Sequence, residues 1–232
     1  VPTGFSFEGD KARRDANSKE IARIAREAVT LIYPEMGELS DRIPNPPTPE
    51  DSILIIADSQ EYKECESCPA QAVIDPMALK NIILRLYGPG GSGQVSPEKV
   101  HTLTFAQLKG SLLSLSDSQV GSTADVNSLI SQANWILFAM LDVNVPNSPA
   151  SDAVKMFLRL RSDILRDKKV IVMAYDVPYY LDATEISKLT AYYGVYSKIE
   201  AFLEAVVRSV FQEYSPTGAL PVSVESVGYD LI

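Results

Sequence analysis

Three short runs of almost unbroken apolar residues set the strongest limit on what this chain can fold into. Residues 52–57, 135–141 and 169–174 are each of strand length and lack the alternation of a strand with one wet face. Runs of this kind are buried on both faces, which requires helices above and below them. The intervening segments supply those helices. Residues 76–87 open on Pro76, carry Met77, Leu79, Ile82, Ile83 and Leu86 at helical spacing, and stop at Gly88. Residues 105–115, 124–133 and 199–211 also read as helices. Residues 150–166 read as one long amphipathic helix with Val154, Phe157, Leu158, Leu160, Ile164 and Leu165 on its stripe. Strands over 100–104, 189–193 and 220–224 complete the series. The expected fold class is α/β, a three-layer α/β/α sandwich with a mostly parallel sheet of about five or six strands.

The front of the chain has a different texture. Residues 1–17 are polar and weakly patterned, an arm or linker. Ser18 stands as a helix N-cap, followed by Ile21, Ile24, Ala25, Ala28, Val29 and Ile32 at helical spacing, with Pro34 as the stop. Residues 35–50 read as loop, stiffened by Pro44, Pro46, Pro47 and Pro49. The expected division is an N-terminal arm, linker helix and Pro-rich loop over 1–50, and the sandwich over 51–232. No internal repeat is present.

Composition narrows the function classes. The 232 residues are 46% hydrophobic and 22% charged, an ordinary globular balance. With 21 Lys plus Arg against 30 Asp plus Glu, the net charge is −9. That balance repels phosphate backbones, so no nucleic-acid partner is expected. No apolar stretch reaches the ~18 residues of a membrane span. The single histidine, His101, excludes a multi-histidine metal site and leaves at most one imidazole base. The chain starts at Val1 with no basic and apolar leader pattern, as expected of a processed protein or an excised domain.

The local motifs are weak when tested one at a time. Gly88-Pro89-Gly90-Gly91-Ser92-Gly93 follows a helix and lacks the Gly-Lys-Ser/Thr ending of a phosphate loop, so it reads as a flexible loop. His101 opens a strand with no Ser or Cys motif beside it. Cys65 and Cys68 have the spacing of redox and zinc motifs but no second Cys pair. The readings left open for them are a local disulfide, two free thiols, or an active dithiol or metal site. An oxidised pair points to an extracellular or envelope setting. Tyr179-Tyr180 and Tyr192-Tyr193 offer sugar-stacking faces, although aromatics at such places more often pack.

Several segments form an ordered pattern. Lys169–Ala174 is followed by Val177-Pro178-Tyr179-Tyr180-Leu181, then Ala191-Tyr192-Tyr193-Gly194, and finally Pro216-Thr217-Gly218-Ala219-Leu220-Pro221-Val222. At the front, Glu20-Ile21-Ala22 and Ala28-Val29-Thr30-Leu31-Ile32 read like a linker helix. Together these resemble the C-terminal α/β sandwich domain of family 3 glycoside hydrolases over roughly residues 18–224, with residues 58–130 matching in element order only. Two departures stand out. Asp176-Val177 occupy a place where the family often has Gly and Asn, and Gln212 stands where a Phe-Gly-Glu motif has its glycine.

The resemblance implies where the chemistry belongs. Retaining glycoside hydrolysis needs a nucleophile and an acid/base ~5–5.5 Å apart. In the family the nucleophilic Asp sits in an N-terminal barrel that this chain is too short to contain. In the β-glucosidase-like branch the sandwich supplies an acid/base Glu just after the strand matching residues 135–141. Here that place reads Met140-Leu141-Asp142-Val143-Asn144, without a Glu. The resemblance therefore favours the β-N-acetylhexosaminidase-like branch, in which the sandwich gives no required carboxylate. Asp142 is the sole catalytic candidate, and at a strand end it reads first as a turn residue accepting backbone N–H bonds. The implied partners are the parent's catalytic barrel and its carbohydrate substrate; no cofactor and no metal are implied. The competing reading is a freestanding α/β small-ligand or carbohydrate-binding domain, with a pocket lined by the loops after Ala57, Leu141 and Ala174.

Overall fold

The computed structural model describes residues 7–114, 123–143 and 148–223. The three apolar runs become adjacent strands, and their burial explains their composition. β1 spans Thr30–Tyr33, β2 Ile53–Ala57, β3 Glu61–Tyr62, β4 Gln71–Ala72, β5 Val100–Thr104, β6 Trp135–Met140, β7 Lys169–Ala174 and β8 Ala191–Gly194. Every residue of β2, β6 and β8 is buried. The main sheet runs β1-β8-β7-β6-β2-β5, parallel throughout except for β1, which pairs antiparallel with β8. A separate two-stranded ribbon joins β3 and β4.

Helices cover both faces, as the two-sided burial requires. The helices are α1 Phe7–Ala28, α2 Met36–Arg42, α3 Ala78–Tyr87, α4 Phe105–Ser114, α5 Thr123–Gln132, α6 Ala153–Leu160, α7 Ala183–Ile186 and α8 Glu200–Val210. On one face α1, α3 and α8 pack on Ile53, Ile55, Leu137 and Ile171. On the other, α4, α5, α6 and α7 pack on Leu54, Ile56, Phe138 and Val172. Neighbouring positions on one strand feed opposite cores, the period-2 geometry of a pleated sheet. The structure is therefore the three-layer α/β/α sandwich expected. No described helix is long and apolar enough to cross a membrane.

Four elements depart from the sequence reading. α1 starts well before Ser18, which lies inside the helix, because the preceding Ala12, Arg13, Arg14 and Ala16 are good helix formers. It ends at Ala28, before Val29 and Ile32 join its stripe. The segment 29–32, with β-branched Val29, Thr30 and Ile32, turns into β1, with Thr30 opposite Gly194 and Leu31 opposite Tyr193. α2 interrupts what reads as loop between residues 35 and 50. The helix expected over 150–166 ends at Leu160, where Arg161, Ser162 and Asp163 take over. A single 3-10 turn over Leu165–Asp167 then brings Ile164 and Leu165 back to the core. Residues 220–223 form no strand, and Val224 lies outside the described residues. The sheet edge beside β8 is formed by β1.

Gly218 closes this edge. Its N–H donates to Val29 O at 3.1 Å, and a Cβ there would meet Ala28 O at 2.3 Å. Only glycine admits that approach.

Candidate functional site

The chain order of the parallel strands is β2, β5, β6, β7, β8, while their order across the sheet places β6 on one side of β2 and β5 on the other. The connection after β2 leads to α3 on one face, and the connection after β6 leads to α6 on the other. The crevice between the carboxyl ends of β2 and β6 is thus the topological switch point, where α/β sheets place ligand-facing residues.

Two carboxylates sit there. Asp58 follows β2 directly, and its N–H donates to Ala139 O at 2.9 Å, extending the β2–β6 ladder by one residue. Its side chain is only 1% exposed. Oδ2 accepts from Leu141 N at 3.4 Å and from Gln60 Nε2 at 3.2 Å, while Oδ1 has no hydrogen-bond partner. The same Gln60 amide donates to Asp142 Oδ1 at 2.5 Å. Gln60 therefore ties the β2 and β6 carboxylates together. Burial pushes the Asp58 carboxyl up to about 6, with Asp142 adding to the rise against the hydrogen bonds from Leu141 and Gln60. Close by, the Tyr180 phenol is pushed up by burial and by Asp142 and Asp176. Asp176 pairs with Lys198 at 3.1 Å.

The rim around this crevice is apolar and exposed. Tyr62 lies after β2, Val177 after β7 and Ile199 before α8, and each is between 45% and 51% exposed. Val222 joins them through its backbone, which exchanges hydrogen bonds with the Tyr179 hydroxyl at 2.8 and 3.1 Å. Beside the rim, a cavity of about 400 Å³ opens between α3 and α8, lined by Ile74, Ala78, Ile82, Lys198 and Leu203.

The other sequence candidates lie elsewhere. Asp142 Oδ1 accepts from the Gln60 side-chain amide at 2.5 Å. His101 pairs in register with Leu54, three residues short of Thr104 at the strand end, which is about 10 Å from the edge. It therefore cannot serve as the base of this crevice. The glycine loop at 88–93 is tied down, because Gly91, Ser92 and Gly93 donate their amides to carbonyls of Leu86 and Gly88. Those donors are not available to cradle a phosphate. Cys65 and Cys68 form a disulfide at the tip of the β3–β4 ribbon. Among the described residues no cluster of three or more His, Cys, Asp or Glu is arranged to hold a metal. Tyr192 and Tyr193 are buried packing residues, with Tyr192 OH donating to Pro178 O at 2.9 Å. Asp58 and Gln60 were missed by the sequence reading. The available signal was an Asp placed directly after a fully apolar strand, as Asp142 follows residues 135–141.

No protein-family model matches the sequence, and no curated protein matches it. Solved structures do. A fungal multi-domain glycoside hydrolase family 3 β-N-acetylglucosaminidase superposes with a TM-score of 0.55 at 17% identity, over 94% of this chain and 20% of its own. A family 3 β-N-acetylglucosaminidase from Paenibacillus sp. gives 0.52 at 15%, over 89% and 32%. A family 3 β-glucosidase from Bifidobacterium adolescentis gives 0.50 at 13%, over 97% and 30%. The fold is that of a sandwich domain from family 3 glycoside hydrolases. This chain spans a fifth to a third of the length of the enzymes it superposes on. Gln212, which the resemblance sets against a motif glycine, has a left-handed backbone with φ at +61°. Its side chain donates to Ile43 O at 2.5 Å, an interaction glycine lacks.

Proposed function

We propose that this chain is the non-catalytic C-terminal domain of a family 3 glycoside hydrolase of the β-N-acetylhexosaminidase-like branch, packing on a catalytic barrel carried elsewhere in the parent. The observation that carries the reading is the unequal coverage: almost all of this chain superposes on a minor part of each enzyme. The parent is proposed to hydrolyse O-glycosyl bonds of terminal β-linked N-acetylhexosamine. Two β-N-acetylglucosaminidases among the neighbours and the Asp at position 142, where the β-glucosidase-like branch has a Glu, support that branch.

Packing on the barrel is assigned to the carboxyl edge of the sheet. Tyr62, Val177, Ile199 and Val222 expose apolar surface around it, the surface expected of an edge covered by another domain. The division at about residue 50 belongs to the same proposal. The segment before it leads in from the barrel, and β1 is the part of it that enters the sheet.

The chemistry of the crevice agrees with a supporting role. Asp58 and Asp142 share one amide donor, and His101 lies about 10 Å back along β5 from the strand end. Asp58 lies buried beneath the crevice, and the half-buried Gln60 and Asp142 are the polar groups that face what docks there. To test this, the chain alone and the parent polypeptide encoded with its upstream region are assayed on nitrophenyl β-N-acetylglucosaminide. Turnover by the parent with an inert isolated chain supports the proposal. An upstream region without a barrel contradicts it.

A further inference from the structure

At the opposite end of the sheet, five cations gather on a protein whose net charge is −9. Arg42 ends α2, Arg166 lies in the 3-10 turn before β7, Lys168 and Lys169 lead into β7, and Lys188 follows α7. All five line one open depression of about 260 Å³, and Asp41 is the only carboxylate among its lining residues.

The three lysines are anchored on backbone carbonyls and have no paired acid among the described residues. Lys168 Nζ donates to Ser131 O at 2.8 Å and Ala133 O at 2.7 Å. Lys169 Nζ donates to Arg42 O at 2.6 Å, and Lys188 Nζ to Leu158 O at 3.2 Å. Among the described residues, the ion pairs of this region go to Arg42, with Glu38 at 3.6 Å, and to Arg161, with Asp163 at 3.6 Å. Arg166, Lys168, Lys169 and Lys188 form none. Burial and the nearby Arg161 hold the Lys168 ammonium below its ordinary range, while Asp167 partly offsets them. The carbonyl anchors also remove most of the rotamer freedom that long cations lose on binding, so the site is pre-organised. Each lysine carries three N–H donors, and the bonds named use one or two of them.

We propose that this depression binds a tetrahedral oxyanion, a phosphate or sulfate group. An anionic group with several acceptor oxygens matches three lysine ammonium groups with Arg166 as an added fork. A volume of about 260 Å³ admits such a group together with part of what carries it. Within this depression five cations stand against one carboxylate, a local excess of positive charge that attracts anions. The site lies at the other end of the strands from the docking edge, so its failure leaves the proposed function untouched.

The test titrates the full chain at low ionic strength with inorganic phosphate, inorganic sulfate and dextran sulfate, with neutral dextran as the control. Arg166 is exposed and makes no hydrogen bond or ion pair with a described residue, so Arg166→Glu is expected to keep the thermal midpoint of the parent chain. Saturable binding of a free ion places the source in solution, and saturable binding of dextran sulfate alone places it on a polymer. Either result supports the site if Arg166→Glu weakens it at least ten-fold, Arg166→Lys retains it, and added KCl weakens it. Absence of saturable binding to all three anions, or equal affinity of Arg166→Glu and the parent chain, overturns it.

Discussion

Asp58 is the residue where the strength of the fold and its chemistry meet. Its carboxyl is raised from 3.8 to about 6 by burial, so the folded state favours the protonated form. Relative stability from this group is complete below the unfolded value near 3.8. It is lost as pH rises through about 6, and the loss levels off above that. A shift of this size corresponds to about 3 kcal/mol. Replacing Asp58 with Asn removes the titration while keeping an acceptor for Leu141 N–H and Gln60. The stability of Asp58→Asn relative to the parent chain is therefore expected to grow by about 2–3 kcal/mol between pH 4 and pH 8, read from urea midpoints. A difference that does not change with pH contradicts the assignment. Gly218 makes a second prediction at this scale. A Cβ there collides with Ala28 O and Val29 O, at 2.3 and 2.7 Å, so Gly218→Ala is expected to lose about 1–3 kcal/mol in the same measurement.

Between elements, packing outweighs surface charge. α3 and the end of α8 meet through Tyr87 and Phe211, whose rings stack at 3.8 Å with a 2° interplanar angle. The Tyr87 hydroxyl donates to Glu213 Oε1 at 2.7 Å. The same helices are also linked by Arg85, which reaches Glu200 at 3.0 Å and Glu204 at 2.8 Å from a half-exposed position. Phe211→Ala is expected to destabilise by about 3–5 kcal/mol. Arg85→Ala is expected to change stability by less than about 1 kcal/mol, and by less still in high salt. Denaturant unfolding of the two variants checks the ranking, and comparable losses contradict it.

These elements also show what a sequence makes legible. β2, β6 and β7 declare themselves because two-sided burial leaves no polar residue inside the runs. β1 is hidden because Val29 and Ile32 continue the 3- and 4-residue spacing of α1, and only the partner strand β8 decides between helix and strand. The end of α6 is hidden for a related reason: Ile164 and Leu165 keep the apolar period while the backbone has already left the helix. Asp142 was legible as a strand-end carboxylate. Its link to Asp58 was not, since the two are brought together by strands 82 residues apart through Gln60.

At the scale of the molecule, the sandwich closes two cores, and the proposed function assigns catalysis to the parent's barrel. Its two cores are closed by helices on each face, while the carboxyl edge keeps a polar crevice ringed by exposed apolar side chains. That combination suits a domain that shapes a neighbour's site. The most direct measurement is the hydrolysis of nitrophenyl β-N-acetylglucosaminide by the purified chain, set beside the parent polypeptide. The account predicts no release above buffer from the chain alone and steady turnover from the parent. Release by the chain alone that disappears in Asp142→Asn or Asp58→Asn would contradict it.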